Sequence, residues 1–153
     1  MNVVESIKRL LEKNNINYKY FKHEPTPTSE IAAKVRGVDL ASGAKAMVLR
    51  YNGNFCMCVL RATEKIDFKK MKKILDTGSI SFATAEEVKK VTNCIPGGVP
   101  PFGNLFKIPV YAEKQLFNNE IINFNAGTQT QSIQMKAADW KNVVNPVVKE
   151  FAQ

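Results

Sequence analysis

The chain has 153 residues, 44% of them hydrophobic and 24% charged, with 22 lysines and arginines against 14 acidic residues, a formal net charge of +8. That length suits one domain with a real core, and the near-average composition excludes disordered, collagen-like and disulfide-scaffold classes. No run approaches the roughly 18 apolar residues of a membrane span, so the basic excess points to an anionic partner, nucleic acid before lipid.

Charge interrupts the first residues before an apolar signal region can form, and Glu5 and Glu12 count against an acid-poor transit peptide, so a cytoplasmic location is expected. Val3, Val4, Ile7, Leu10 and Leu11 recur at helical spacing, and Asn14-Asn15 stops that helix. Ile16, Tyr18 and Tyr20 alternate with polar residues as a strand does. After His23, Pro25 and Pro27 restrain the residues before them and stiffen the connection. Thr28 or Ser29 caps a short helix through Val35, and Gly37 suits its left-handed end.

The clearest local feature is a hairpin. Ala44 to Tyr51 and Asn54 to Arg61 flank Asn52-Gly53, the favoured type I′ pair. A two-residue turn sets Tyr51 opposite Asn54, Leu49 opposite Cys56, Met47 opposite Cys58 and Lys45 opposite Leu60. Strand alternation then puts Lys45, Met47, Leu49, Cys56, Cys58 and Leu60 on one face. Ala46, Val48, Arg50, Phe55, Met57 and Val59 take the other. Lys45 is the single charge on an otherwise apolar face, near the open end of the hairpin.

Asp67 next caps a helix whose apolar face is Phe68, Met71, Ile74 and Leu75, with Lys69, Lys70, Lys72 and Lys73 opposite, ending at Asp76-Thr77-Gly78. Ser79 to Ala83 reads as a strand, and Thr84-Ala85-Glu86-Glu87 as a capping box opening another helix. A turn-rich segment from Cys94 to Gly103 precedes strands at Leu105 to Ala112, Glu120 to Asn125 and Ser132 to Lys136. A last helix begins near Asp139, anchored by Trp140, and breaks at Pro146. Irregular interleaving of strands and helices predicts an α/β fold, a single mixed-sheet domain with flanking helices over residues 1–153.

Elimination narrows the chemistry. His23 is the only histidine, so any triad-type mechanism rests on it alone. No phosphate-binding glycine fingerprint is present, so a nucleotide cofactor would lack its usual cradle, and no HExxH or carboxylate cluster suggests a metal. Cys56, Cys58 and Cys94 lack zinc or redox spacing and read as small buried residues. Two candidates remain. Lys45 can attract a phosphate or polarise a carbonyl, or it snorkels at the rim of the core. The Gly97 to Gly103 loop lets backbone N–H groups approach a ligand, or it is an ordinary wide turn.

Together these residues resemble the YbaK/ProX family of aminoacyl-tRNA deacylases, editing domains related to the insertion domain of prolyl-tRNA synthetases. The similarity includes Phe21-Lys22-His23-Glu24-Pro25, Gly43-Ala44-Lys45, a Gly-x-x-x-Pro loop as Gly97-Gly98-Val99-Pro100-Pro101 followed by Phe102-Gly103, Asn125-Ala126-Gly127 and Ala138-Asp139. The resemblance implies hydrolysis of the ester joining a wrong amino acid to the tRNA 3′ end, with no metal and no organic cofactor. Lys45, Gly97 and Gly98 match its catalytic positions. His23, Ala46, Pro101, Phe102, Gly103, Asn125, Gly127 and Ser132 are implied to bind substrate. Lys69, Lys70, Lys72 and Lys73 become a candidate tRNA face. Members acting on cysteinyl-tRNA carry Lys-Thr where this chain has Lys45-Ala46, a serine before the double glycine of the late loop where it has Asn125-Ala126-Gly127, and an acidic residue at Ser132. Alanyl-, seryl- or threonyl-tRNA is therefore expected before cysteinyl-tRNA. Aminoacyl-tRNA is the implied partner, with an aminoacyl-tRNA synthetase as a second. The rival reading is a non-catalytic tRNA- or synthetase-binding module of the same fold.

Overall fold

Short helices form where a cap and an apolar stripe coincide. In the computed structural model, which describes residues 2–26 and 28–153, α1 (Val3–Lys13) starts where the Asn2 side chain accepts the Glu5 N–H and buries Val3, Val4, Ile7 and Leu11. β1 (Tyr18–Lys22) follows. Pro27, one of the two prolines expected to stiffen the next connection, lies outside the described residues. Thr28 caps α2 (Ser29–Arg36), which Gly37 ends at φ 70°, a conformation cheap only without a Cβ.

β2 (Ala44–Tyr51) and β3 (Asn54–Arg61) pair antiparallel in the register that the Asn52-Gly53 turn dictates, Lys45 opposite Leu60 and Leu49 opposite Cys56. Alternation sorts their side chains between two cores. Leu49, Cys56, Cys58 and Leu60 enter a small core with Met71 and Phe151, whereas Val48, Met57 and Val59 enter the main one. Asp67 accepts the N–H groups of Lys69 and Lys70 and starts α3 (Phe68–Leu75), which closes the small core through Met71. All three cysteines are free and buried.

β4 (Ser81–Phe82) is shorter than the Ser79 to Ala83 stretch suggests, pairing with β2 only at Leu49 and Arg50. The Thr84–Glu87 capping box opens α4 (Ala85–Thr92). Leu105 to Ala112 is not one strand. Gly103–Phe106 forms a 3₁₀ turn, Lys107 takes a left-handed φ of 60°, and only β5 (Val110–Glu113) is extended. β6 (Ile121–Asn125) and β7 (Gln131–Lys136) fall where expected, and α5 (Ala137–Val144) starts two residues before Asp139. Beyond Pro146 lies a strand the sequence reading lacked, β8 (Val147–Lys149).

The strands divide between two sheets. One is mixed, in the order β4-β2-β3-β5-β8, with β5 parallel to both neighbours; the other is antiparallel, β1-β7-β6. A bridge between Gly43 and Asn123 ties the start of β2 to β6, so the sheets meet at the open end of the hairpin, beside Lys45. The main core holds α1 and α5 against them. Trp140 is fully buried and donates its indole N–H to the Pro101 carbonyl at 2.8 Å, which satisfies the one polar atom of the ring.

Candidate functional site

Three segments converge where the sheets meet: the end of α2, the start of β2, and the Gly97 loop lying against β6. Between them is a cleft of about 140 Å³ whose walls include Arg36, Lys45, Ala46, Gly97, Val99 and Asn125. Lys45 is half-buried and makes no hydrogen bond or ion pair among the described residues. Burial holds its ammonium below the usual lysine pKa, and the opposing pull of Glu30 does not cancel that.

Arg36 faces it chemically. Its Nε–H donates to Ser132 Oγ and its Nη2–H to Asn125 Oδ1, both at 2.8 Å. No carboxylate pairs with it among the described residues. Burial brings its pKa down to about 10, so the guanidinium remains charged at neutral pH. A guanidinium carries five donors, and two are committed here. The cleft is thus lined by two cations that have no ion-pair partner, and Asp39 is the only carboxylate in its walls, among the described residues.

Behind the wall, a chain of polar groups orients Arg36. His23 Nε2 lies 2.6 Å from Ser132 Oγ, and its Nδ1 lies 2.8 Å from the Glu24 carbonyl. The Glu24 carbonyl can only accept, so His23 Nδ1 donates to it, and in that tautomer Nε2 accepts from the Ser132 hydroxyl. Ser132 is only 1% exposed and touches the cleft through its hydrogen bond to Arg36, whereas His23 is half-buried behind it. Asn125 links the remaining parts. Its Oδ1 accepts from Arg36 while its Nδ2 donates to the Gly97 carbonyl at 2.5 Å.

The glycine loop is held from behind by a second loop. The Gly127 N–H donates to the Gly98 carbonyl at 2.9 Å, and a Cβ on Gly98 would lie 3.2 Å from the Gly127 oxygen. The Gly98 N–H is committed to the Ile95 carbonyl at 3.0 Å. Of the three residues Gly97 to Val99, Gly97 and Val99 have N–H groups without a hydrogen bond among the described residues, and both residues line the cleft.

Of the residues singled out from the sequence, Lys45, Ala46, Gly97 and Asn125 meet at the cleft. Gly98, Gly127, Ser132 and His23 stand one layer behind it. Pro101, Phe102 and Gly103 do not line it: Phe102 is fully buried against Phe124, ring centroids 5.5 Å apart, and a Cβ on Gly103 would meet Val110 at 2.5 Å. Lys69, Lys70, Lys72 and Lys73 sit on α3, outside the cleft, and Lys70 donates to the Ala152 carbonyl at 2.9 Å. Arg36 and Val99 were not singled out. Arg36 precedes Gly37 in the last turn of a helix, where a cation reads as a partner for the helix dipole. Among the described residues no three His, Cys, Asp or Glu side chains group as metal ligands would.

A family model described as the aminoacyl-tRNA editing domain matches residues 23–143. The chain is similar to the multifunctional Ser/Thr-tRNA deacylase ProXp-y of Escherichia coli (strain K12), 29% identical over 147 residues that cover 93% of this chain and 88% of that protein. It is also similar to a proline–tRNA ligase of Bacillus licheniformis, 32% identical over 92 residues, 60% of this chain but 16% of the ligase. Among solved structures, a candidate trans-editing enzyme for prolyl tRNA synthetase superposes with a TM-score of 0.85 at 19% identity, covering 100% of this chain and 98% of that one. That likeness shows the fold.

Proposed function

Because the chain belongs to the aminoacyl-tRNA editing domain family, we propose that it is a deacylase that acts in trans, as a single domain over residues 1–153, on the ester between a small, wrongly attached amino acid and the 3′ end of tRNA. The observation that carries this reading is that Lys45 and Arg36, two cations with no ion-pair partner among the described residues, line one small cleft with Gly97 and Val99, whose backbone N–H groups have no hydrogen bond.

Ester hydrolysis places negative charge on the carbonyl oxygen as water adds, and pre-aimed donors and cations lower that barrier most where water is partly excluded. The N–H groups of Gly97 and Val99 are the backbone donors for that oxygen. Lys45 holds the ester carbonyl or the terminal phosphate, and Arg36 is fixed by Ser132 and Asn125 so that its uncommitted N–H groups meet the substrate. Asp39 offers a counter-charge to the α-ammonium of the amino acid. A ribose hydroxyl of the substrate assists the attacking water. The acyl–oxygen bond breaks, one proton of the attacking water passes to the departing tRNA oxygen, the other is lost to solvent, and the amino acid leaves as its carboxylate. Such an activated ester needs positioning more than a dedicated side-chain base.

The cleft volume of about 140 Å³ is on the scale that holds a benzene-sized guest. It suits a small side chain, alanyl as well as seryl or threonyl, and the likeness to the Ser/Thr-tRNA deacylase ProXp-y supports seryl- and threonyl-tRNA as substrates here. A synthetase is a further proposed partner, since a proline–tRNA ligase contains a related segment. No described helix is long and apolar enough to cross a membrane, and the proposed place of action is where aminoacyl-tRNA is made, the cytoplasm.

A panel of mischarged tRNAs, followed for ester loss, tests the proposal. Seryl-, threonyl- or alanyl-tRNA is hydrolysed, and Lys45→Ala lowers kcat/KM at least about a hundredfold with unfolding unchanged. Binding of tRNA with every ester left intact would replace the enzyme by the binding-module reading.

A further inference from the structure

Lys45 borders two hollows. Besides the cleft, it lines a groove of about 400 Å³ with Met47, Lys65, Ile66, Phe68 and Phe82. The groove runs between the start of α3 and the edge strand β4. Phe82 is 50% exposed on that two-residue strand, and its ring stands 5.0 Å from that of Phe68 at 59°. A large aromatic surface is left uncovered beside two lysines, and no acidic side chain lines the groove.

We infer that this groove is a stacking site for the unpaired nucleotide that precedes the esterified one at the tRNA 3′ end. The inference rests on the deacylase reading for the register of the RNA, since the ester must lie in the cleft. Its chemistry is that of the groove itself. An apolar, aromatic floor flanked by cations matches a flat base carrying a phosphate, which is how single strands are held without base-pairing. Lys45, shared by both hollows, stands where the phosphate linking the two nucleotides must pass. Lys65 supplies a second positive charge to the same backbone, and their mutual repulsion is relieved by an anion between them. An unpaired strand is required because a stacked duplex would hide the base face that Phe82 meets.

The test uses the full chain and two uncharged acceptor-stem RNA hairpins. One has an intact 3′ end, and the other has an abasic residue at the penultimate position, which keeps the phosphate and deletes the base. Wild-type protein binds the intact RNA roughly tenfold more tightly, the value of one lost aromatic stack. Phe82→Ala binds both equally, and Phe82→Tyr restores the preference. Lys65→Ala weakens binding of both RNAs and lowers the salt slope by about one. Equal binding by wild-type protein, or a preference that survives Phe82→Ala, overturns the inference. Neither result depends on hydrolysis, so failure of the mischarged-tRNA panel would remove the deacylase reading separately.

Discussion

Lys45 and Arg36 are the two cations that line the cleft, and their different legibility has a physical origin. Lys45 stands out because turn chemistry sets the hairpin register, and register sets the face of every residue. Arg36 gains its meaning from Ser132 and Asn125, residues about a hundred positions further along the chain. The two also predict a pH dependence. Lys45 attracts an anion only while protonated, so activity declines as pH rises through its pKa. Burial puts that pKa below the ordinary value of about 10.4, so the alkaline limb of kcat/KM, with spontaneous ester loss subtracted, lies below 10.4. Lys45→Arg keeps the charge and moves the limb upward. A limb that stays in place in that variant would remove Lys45 from the titration.

Elements defined by local chemistry were legible, and those defined by packing were not. The Thr84–Glu87 box, the Asp67 cap and the Asn52-Gly53 turn each act within four residues, and each forms as read. Leu105 to Ala112 has the apolar content of a strand, yet Leu105, Phe106 and Ile108 pack on the main core from a turn. Short apolar runs do not distinguish these cases. β8 owes its existence to a parallel pairing with β5. Glu113, the last residue of β5, fixes the chain that follows. Its carboxylate accepts the N–H groups of Phe151, Ala152 and Gln115 at 2.7–2.9 Å. Burial raises its pKa, but those three donors outweigh burial and hold it below the usual value. A depressed folded-state pKa contributes stability above the unfolded pKa of about 4.3, lost as pH falls through the folded value. Glu113→Ala should therefore cost about 2–4 kcal/mol in denaturant unfolding at pH 7, with the gap to wild type narrowing below about pH 4.

At the scale of the whole molecule, the net charge of +8 acquires a division of labour. Lys45 and Arg36 stand at the cleft, while most of the excess is spread over surfaces such as α3. Lys69 and Lys73 there are exposed, whereas Lys70 is tied to Ala152. If α3 bears RNA phosphates, Lys69→Glu with Lys73→Glu weakens tRNA binding and lowers the slope of log affinity against log salt by about two. An unchanged slope would place the RNA backbone on another face. The meeting of the two sheets at Gly43 and Asn123 matters equally at this scale, because it brings the start of the hairpin beside β6 and so creates the cleft.

The sequence alone determined the hairpin and its register, the helix caps, the sorting of side chains between two faces, and the family to which the ordered motifs point. Those features rest on interactions between near neighbours, which a linear pattern records. Only the tertiary structure decided that Arg36 joins Lys45, that Phe102 and Gly103 are core residues, that Gly97 and Val99 keep free N–H groups, and that Phe82 stands beside Lys65. Each of those depends on segments far apart in the chain being packed together, and no local periodicity encodes which distant surfaces will meet.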